Sequence, residues 1–211
     1  MLNDFPTPYS VQFQGQTWAR RALRWLGWSV YFEGLPSAQG VVIVYPHTSN
    51  WDFLIAMLVK AALGIRIHFW AKHTLFGIPL FGSWLSRLGG VPIDRRNPGG
   101  VVDETARLLK LAQSEHRLYW VGLSPEGTRS YREGWRSGFY RLTLQAQVPL
   151  GVATLDYGQR EVRFQHFIQL SGDVERDYAR IEAIVGKAVG FHPEQACPVR
   201  PMPTHPAQER T

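Results

Sequence analysis

Residues 41–52 read VVIVYPHTSNWD, and this stretch decides the fold. Its first five residues form an unbroken apolar run rich in β-branched side chains, which is typical of a strand covered on both faces. Polar residues follow at once, from Pro46 to Asp52. Functional sites of α/β proteins lie at the carboxyl ends of such strands. The stretch therefore predicts a central strand with a polar site at its end.

Strand and helix signals alternate on both sides of this stretch. Further strands are predicted over 66–71, 91–93, 118–123, 149–157 and 161–168. Helices are predicted over 50–63, 78–88, 100–113, 138–147 and 173–188. This alternation predicts an α/β fold, a single domain whose mostly parallel mixed sheet is flanked by helices. The last two strands are expected to form a hairpin around Gly158.

The domain is predicted to span 15–192. Residues 1–14, which contain Pro6 and Pro8, are expected to be a loose leader, and 193–211 a Pro-rich mobile tail.

Residues 15–28 predict an amphipathic helix at the start of the domain. Its apolar face carries Trp18, Ala22, Trp25 and Leu26 at helical spacing. Its arginines lie largely away from that face. Two interpretations stay open: the tryptophan face docks on the core, or it lies in a membrane interface with the arginines beside it.

Composition excludes several classes of protein. The chain has 211 residues, of which 45% are hydrophobic, so it is long enough and apolar enough for a folded core. One cysteine, Cys197, excludes an intramolecular disulfide framework and a zinc site built on several thiolates. Metal-binding motifs such as HExxH are absent from the sequence, and no metal is expected.

Charge and hydropathy indicate where the protein works. The 23 basic and 17 acidic residues give a net charge of +6, which favours nucleic acid, an acidic membrane surface or a phosphorylated substrate as partner. The sequence contains no recognisable nucleic-acid-binding motif, so nucleic acid is not expected. Neither a signal peptide nor an apolar run of the roughly 18 residues needed for a transmembrane helix is found. The prediction is a peripheral protein on the cytoplasmic side of a membrane.

His47 and Asp52 are the candidate catalytic pair. They meet if His47 lies in the turn before a helix that begins near Ser49 or Asn50, either of which suits the N-cap. Asp52 then accepts a hydrogen bond from one imidazole nitrogen, which raises the basicity of the other. With no GxSxG motif and Cys197 in the tail, this pair fits a base that deprotonates a substrate hydroxyl. An H-x4-D string alone is weak evidence, and an ordinary polar turn is the alternative.

Two further polar clusters follow predicted strands. GGVPIDRR at 89–96 ends in two arginines that are suited to bidentate phosphate contacts. SPEGTRS at 124–130 gives a dense polar set for an anion or a polyol. Each cluster taken alone is equally consistent with a solvated turn.

The three clusters HTSNWD, GGVPIDRR and SPEGTRS, together with Val148-Pro149-Leu150, resemble the ordered blocks of the glycerolipid (lysophosphatidic acid) acyltransferase family over residues 40–157. The resemblance implies a glycerol-3-phosphate acyltransferase-like fold and a direct transfer without an acyl-enzyme. In that transfer His47 takes the proton of the acceptor hydroxyl and Asp52 orients the imidazole. Residues implied in acceptor binding are Arg95, Glu126, Gly127, Thr128 and Arg129.

The implied reaction moves a fatty acyl chain from acyl-CoA or acyl-carrier protein to a lysophospholipid, 1-acylglycerol-3-phosphate, with no cofactor beyond the acyl donor. Pro46, Ser124 and the strand after Pro149 depart from the family pattern. These departures leave the His–Asp chemistry intact and concern the identity of the acceptor. Two alternatives stay open. One is an O-acyltransferase for a non-glycerol lipid such as an amino-acid lipid, and the other is a non-catalytic lipid-binding module.

Overall fold

The computed structural model describes residues 3–93 and 98–203. Its strands are β1 Ser29–Phe32, β2 Gln39–Tyr45, β3 Ile67–Lys72, β4 Gly90–Ile93, β5 Tyr119–Leu123, β6 Leu150–Asp156 and β7 Glu161–Ile168. Its α-helices are α1 Thr17–Trp25, α2 Trp51–Leu63, α3 Phe81–Arg87, α4 Pro98–Ser114, α5 Gly138–Ala146 and α6 Val174–Val185. Two short 3-10 helices span His73–Leu75 and Pro193–Gln195.

Within the described residues, the seven strands form one sheet in the order β1-β7-β6-β2-β5-β3-β4. Every neighbouring pair is parallel except β6 and β7, which form the predicted hairpin. The mostly parallel mixed sheet predicted from the sequence is therefore confirmed. The short edge strand β1 was not predicted.

Strand β2 lies at the centre of the sheet and is covered on both faces. Val41 and Ile43 belong to the apolar cluster under α4, α5 and α6, whereas Val42 belongs to a cluster on the opposite face. Helices α1 and α2 pack together over that second face. The unbroken apolar run of β2 is explained by this two-sided burial.

The register of β2 with its neighbours determines where the site lies. Ile43 is paired with Leu123 of β5 and with Val152 of β6. All three strands run in the same direction, so the residues that follow them meet at one edge of the sheet.

The predicted loose leader over 1–14 is wrong for residues 3–14. Tyr9 is buried against the edge of Phe167, and the backbone N–H of Asp4 donates to the carbonyl of Phe167 at 3.0 Å. The apolar side chains of this segment bury surface on the outer strands, which outweighs the loop-like signal of its prolines.

The predicted mobile tail over 193–211 is also wrong for residues 193–203. Cys197 is buried, and Trp135 pairs with Pro201 in a short parallel bridge. Residues 204–211 lie outside the described residues. Proline-rich composition signals a lack of regular structure, but here the extended chain is fixed by contacts with distant residues.

Helix α1 does not pack on the core through the apolar face that carries its tryptophans. It packs through a different face. Ala19 and Leu23 are buried against α2, while the side chains of Trp18 and Trp25 are 60% and 86% exposed. The interpretation in which the tryptophan face docks on the core is therefore wrong for these two residues. A small residue such as Ala19 lets the two helices approach closely, which an indole at that position would prevent.

No helix in the described ranges is both long enough and apolar enough to span a bilayer.

Candidate active site

The loops after β2, β5 and β6 converge at the carboxyl edge of the sheet. They bring together His47, Glu126 and Tyr157, which lie far apart in the sequence. A fourth segment also borders the site. We call it the closing segment and define it as residues 189–203.

His47 and Asp52 are in direct contact, as the spacing predicted. Nδ1 of His47 lies 3.0 Å from Oδ2 of Asp52. A carboxylate only accepts hydrogen bonds, so the imidazole carries its proton on Nδ1 and its Nε2 is the basic nitrogen. The His47 side chain is 25% exposed, whereas that of Asp52 is 2% exposed. The pair thus has the geometry of an oriented general base that solvent or substrate can reach.

Asp52 also closes the turn before α2. Its Oδ2 accepts the backbone N–H groups of Thr48 at 2.7 Å and Ser49 at 2.8 Å. Asn50 occupies the N-cap position but makes no side-chain capping hydrogen bond, so the capping role predicted for it is wrong. The Ser49 hydroxyl accepts the N–H of Trp51 at 3.2 Å. The carboxylate therefore performs two tasks, since it fixes the loop as well as the imidazole.

The second oxygen of Asp52 binds a residue that the sequence did not reveal. The hydroxyl of Tyr157, just beyond β6, donates to Oδ1 at 2.9 Å. The Tyr157 ring is held edge-on between Trp28 at 4.9 Å and Phe191 at 5.2 Å. The sequence signal for Tyr157 was a polar aromatic residue directly after a predicted strand. That signal indicates a contact with Asp52 only when the strand is known to lie beside β2.

The hydrogen bonds around Asp52 keep it ionised. Burial alone raises the pKa of its carboxyl, but hydrogen bonds from His47, Ser49 and Tyr157 outweigh burial and hold the pKa below the ordinary value. Burial and the Asp52 carboxylate together raise the pKa of the Tyr157 hydroxyl, which stays a donor at neutral pH. Asp52 thus remains an acceptor for the imidazole.

We expect Tyr157→Phe to lower the free energy of unfolding at neutral pH by about 1.5–3 kcal/mol, the range for a hydrogen bond to a charged group. Asp52 has a lowered pKa, so its stabilisation is complete above the ordinary carboxyl value of 3.8 and is lost as pH falls through the lower folded value. The difference between variant and wild type should therefore be largest at neutral pH and shrink below 3.8. Urea titrations over this pH range measure it, and a pH-independent difference would contradict the role of Tyr157.

Glu126 is a buried residue that supports the backbone at His47. Its side chain is 1% exposed. Oε2 accepts the backbone N–H of His47 at 2.6 Å, and Oε1 accepts the N–H of Cys197 at 3.0 Å. Burial raises the pKa of Glu126 despite these two hydrogen bonds. Both oxygens hold backbone N–H groups, so Glu126 positions the loop of His47, and the acceptor contact implied by the family resemblance stays a prediction.

The residues after Glu126 turn sharply toward the surface. Gly127 has φ +65°, and a Cβ there would lie 2.6 Å from Cδ of Arg136, so glycine is strongly favoured. The Thr128 hydroxyl accepts the N–H of Ser130 at 3.2 Å. Arg129 is exposed and hydrogen-bonds to the side-chain oxygen of Asn50, which places its guanidinium beside the loop of His47. Arg95 lies outside the described residues.

The closing segment packs directly on the loop of His47. The hydroxyl of Thr48 accepts the N–H of His192 at 3.1 Å. A Cβ on Gly190 would lie 2.8 Å from the same hydroxyl oxygen, so glycine allows the close approach. The Tyr45 hydroxyl donates to the carbonyl of Cys197 at 3.1 Å. The closing segment, of which residues 193–203 were predicted to belong to a mobile tail, thus completes the site.

Chemically, the site offers a base and buried supports. Burial raises the pKa of the Cys197 thiol to about 11, so this thiol is not a nucleophile at neutral pH. Among the described residues, no group of three or more His, Cys, Asp or Glu side chains is placed to hold a metal ion. The arrangement is suited to removing a proton from a bound hydroxyl.

The chain is similar in sequence to known proteins. A family model described as Acyltransferase matches residues 29–152. The chain is 36% identical over 99 residues to the 1-acyl-sn-glycerol-3-phosphate acyltransferase of Bacillus subtilis (strain 168), a match that covers 46% of each chain. It is 28% identical over 123 residues to the chloroplastic 1-acyl-sn-glycerol-3-phosphate acyltransferase LPAT1 of Arabidopsis thaliana, covering 58% of this chain and 33% of that relative. The chain thus spans less than half the length of these relatives.

A solved structure has a similar fold. The 1-acyl-sn-glycerophosphate (LPA) acyltransferase PlsC from Thermotoga maritima matches with a TM-score of 0.51 and 21% sequence identity. The match covers 79% of this chain and 73% of that chain. The likeness supports the α/β architecture described above.

Proposed function

Since the chain belongs to the acyltransferase family, we propose that it transfers a fatty acyl group from an acyl thioester to a hydroxyl of a lysophospholipid. The acyl donor is acyl-CoA or acyl-carrier protein, and the acceptor is 1-acylglycerol-3-phosphate. One observation carries the proposal: the His47 imidazole is oriented by the ionised Asp52, and the His47 side chain is 25% exposed. A module that only binds lipid has no need of such a base.

The reaction follows from this geometry. Nε2 of His47 takes the proton of the acceptor hydroxyl while the hydroxyl oxygen attacks the thioester carbonyl carbon. The tetrahedral intermediate then collapses, the carbon–sulfur bond breaks, and the thiolate leaves with the proton from the imidazolium. Asp52 stays ionised throughout and stabilises the imidazolium that forms between the two steps. The products are the new ester and the free thiol, and His47 returns to its neutral form.

Recognition of the acceptor rests on positive charge beside the base. The exposed guanidinium of Arg129 adjoins the loop of His47, where it suits the phosphate of the acceptor. Arg95 is proposed as the principal phosphate contact from the family resemblance alone. Both relatives are named 1-acyl-sn-glycerol-3-phosphate acyltransferases, which supports the same choice of acceptor.

The test is an acyl-transfer assay with purified protein. Acyl-CoA and acyl-carrier protein serve as donors, and 1-acylglycerol-3-phosphate, 1-acylglycerol and a lyso amino-acid lipid serve as acceptors. Mass spectrometry should detect the diacylated product from the phosphorylated acceptor with a higher kcat/KM than from the other two. A preference for the amino-acid lipid would overturn the choice of acceptor. No transfer to any acceptor by folded protein would favour a lipid-binding module.

Association with a membrane surface is part of the proposal. Large apolar side chains are exposed on α1, at the start of α2 and in the stretch through α3. They are Trp18, Trp25, Leu26, Trp51, Leu54, Leu75, Ile78, Leu80, Phe81 and Trp84. Helix α2 also carries Asp52, so part of this apolar surface adjoins the site. Exposed tryptophans on a helix that also carries arginines are typical of a helix that lies in a membrane interface, which supports a bilayer as the source of both lipid substrates. The cytoplasmic side of that membrane stays a prediction.

Removing the two indoles of α1 should weaken membrane binding. We expect Trp18→Ser with Trp25→Ser to reduce pelleting with anionic phospholipid vesicles by about tenfold or more, because burial of each large apolar side chain contributes about 1.5–3 kcal/mol. Leu111→Ser is the control, since Leu111 is 42% exposed on α4. Arg20 is left intact because it donates to the carbonyls of Ala62 and Gly15 and supports the helix pair. Equal sedimentation of the double variant and wild type would exclude α1 as a membrane contact.

A further inference from the structure

A cavity lies at the end of the sheet opposite His47. It has a volume of about 740 Å³ and lies where β3, β4 and β5 begin. Gln39, at the start of β2, is level with Tyr119, at the start of β5. His47 follows Gln39 by eight residues, which corresponds to roughly 26 Å at about 3.3 Å per residue. The cavity is therefore separate from the proposed catalytic site.

Basic side chains surround this cavity. They are Lys60, Arg66, His68, Arg87 and Arg117, and no acidic side chain is among its described lining residues. Glu115 lies nearby and is paired with Arg117 at 3.0 Å. Arg66 and Arg87 are exposed and form no ion pair with any described residue. Much of the protein's excess positive charge is thus gathered around one concave surface.

Lys60 fixes the wall of the cavity. Its ammonium group donates to the carbonyl of Ile67 at 2.6 Å and also to the carbonyl of Leu88. It therefore joins the last turn of α2 to the first residue of β3 and to the segment that precedes β4. Burial lowers the pKa of Lys60 to about 8. A cation held in place by backbone carbonyls gives the cavity a rigid positive base.

The pKa of His68 is sensitive to the charge inside the cavity. Its ring is stacked on Tyr119 with centroids 4.5 Å apart. Burial, followed by the charges of Lys60 and Arg117, lowers the pKa of His68, while a backbone hydrogen bond involving Gly89 opposes them. An anion bound here would stabilise the protonated imidazole and raise that pKa.

We propose that this cavity binds a phosphate-bearing anion distinct from the acceptor that is acylated. Crowded cations repel one another, and an anion relieves that repulsion. Two unpaired guanidinium groups are suited to bidentate contacts with phosphate oxygens. The volume lies within the roughly 300–1,000 Å³ of small-molecule sites, so it accommodates a phosphorylated small molecule or a phospholipid head group.

The test uses inorganic pyrophosphate as the probe. Calorimetry at neutral pH and low salt should give saturable binding to the full chain with a Kd below about 1 mM. Arg66→Gln with Arg87→Gln should weaken it by about tenfold or more, since hydrogen bonds to charged groups are lost. Arg141→Gln with Arg176→Gln is the control, because both are exposed arginines on other helices. Absence of saturable binding, or equal weakening in the control, would overturn the site.

A site-specific readout accompanies the affinity. NMR titration of the His68 ring should show its pKa rising when pyrophosphate is present, and an unchanged His68 pKa would place the anion elsewhere and overturn the proposal. Phosphatidic acid vesicles added as a competitor distinguish the natural sources. Loss of pyrophosphate binding in their presence supports a lipid head group, whereas unchanged binding supports a soluble phosphate compound. These measurements involve no acyl transfer, so their failure is distinguishable from failure of the proposed function.

Discussion

His47→Ala should leave a folded protein whose acyl transfer is slower by about 10²–10⁴, the usual effect of losing a general base. The variant removes the nitrogen that accepts the hydroxyl proton, while Asp52 keeps its hydrogen bonds to the backbone of Thr48 and Ser49 and to Tyr157. The fold should therefore survive. Steady-state kinetics with acyl donor and acceptor measure the rate, and circular dichroism checks the fold.

Two companion variants sharpen this result. Asp52→Asn should also be severely impaired, because an amide no longer fixes the imidazole tautomer or stabilises its charged form. His73→Ala is the matched control, since His73 is an exposed histidine in the 3-10 helix after β3. Near wild-type turnover by folded His47→Ala protein, or an equal loss of activity in His73→Ala, would contradict the assignment of His47 as the base.

Glu126→Ala should cost both stability and activity. It leaves the part-buried N–H of His47 and the buried N–H of Cys197 without acceptors, each at about 1–3 kcal/mol, so the free energy of unfolding should fall by roughly 2–6 kcal/mol. The loop that holds the base also loses its support. Chemical denaturation measures the first effect, and kcat measures the second.

Glu126→Gln separates positioning from direct substrate contact. The amide keeps one acceptor oxygen but turns a donor toward the other backbone N–H, so the loss of stability should be intermediate. If Glu126 acts through His47, kcat falls while the KM for the acceptor is nearly unchanged. A raised acceptor KM with unchanged kcat would instead support the direct acceptor contact implied by the family resemblance.

The architecture was predictable because its signals are local. The apolar run of β2 and the alternation of strand and helix patterns each depend on neighbouring residues, and the sheet agrees with them. The two wrong predictions of mobile segments concern both ends of the chain. Tyr9 packs against Phe167, and Cys197 binds Glu126, so both ends are held by partners remote in sequence. Proline content describes the regularity of a segment and carries no information about such contacts.

The site was predictable to the same extent. His47 and Asp52 are five residues apart, and a turn entering a helix is enough to bring them together. Tyr157 and Glu126 reach them only because β6 and β5 flank β2 in the sheet. Strand order arises from long-range pairing, so the supporting half of the site became visible only with the structure.

During protein synthesis, the site is complete only after the closing segment has been made. Cys197, which anchors Glu126, is made about 150 residues after His47, roughly 8–30 s later at 5–20 residues per second. A nascent chain that already contains the H-x4-D sequence but not yet Cys197 therefore lacks one of the two hydrogen bonds that hold Glu126. Glu126 is the residue that supports the loop of His47. Chains released before this point hold an incomplete site, so the base reaches its full geometry only when translation of the segment is complete.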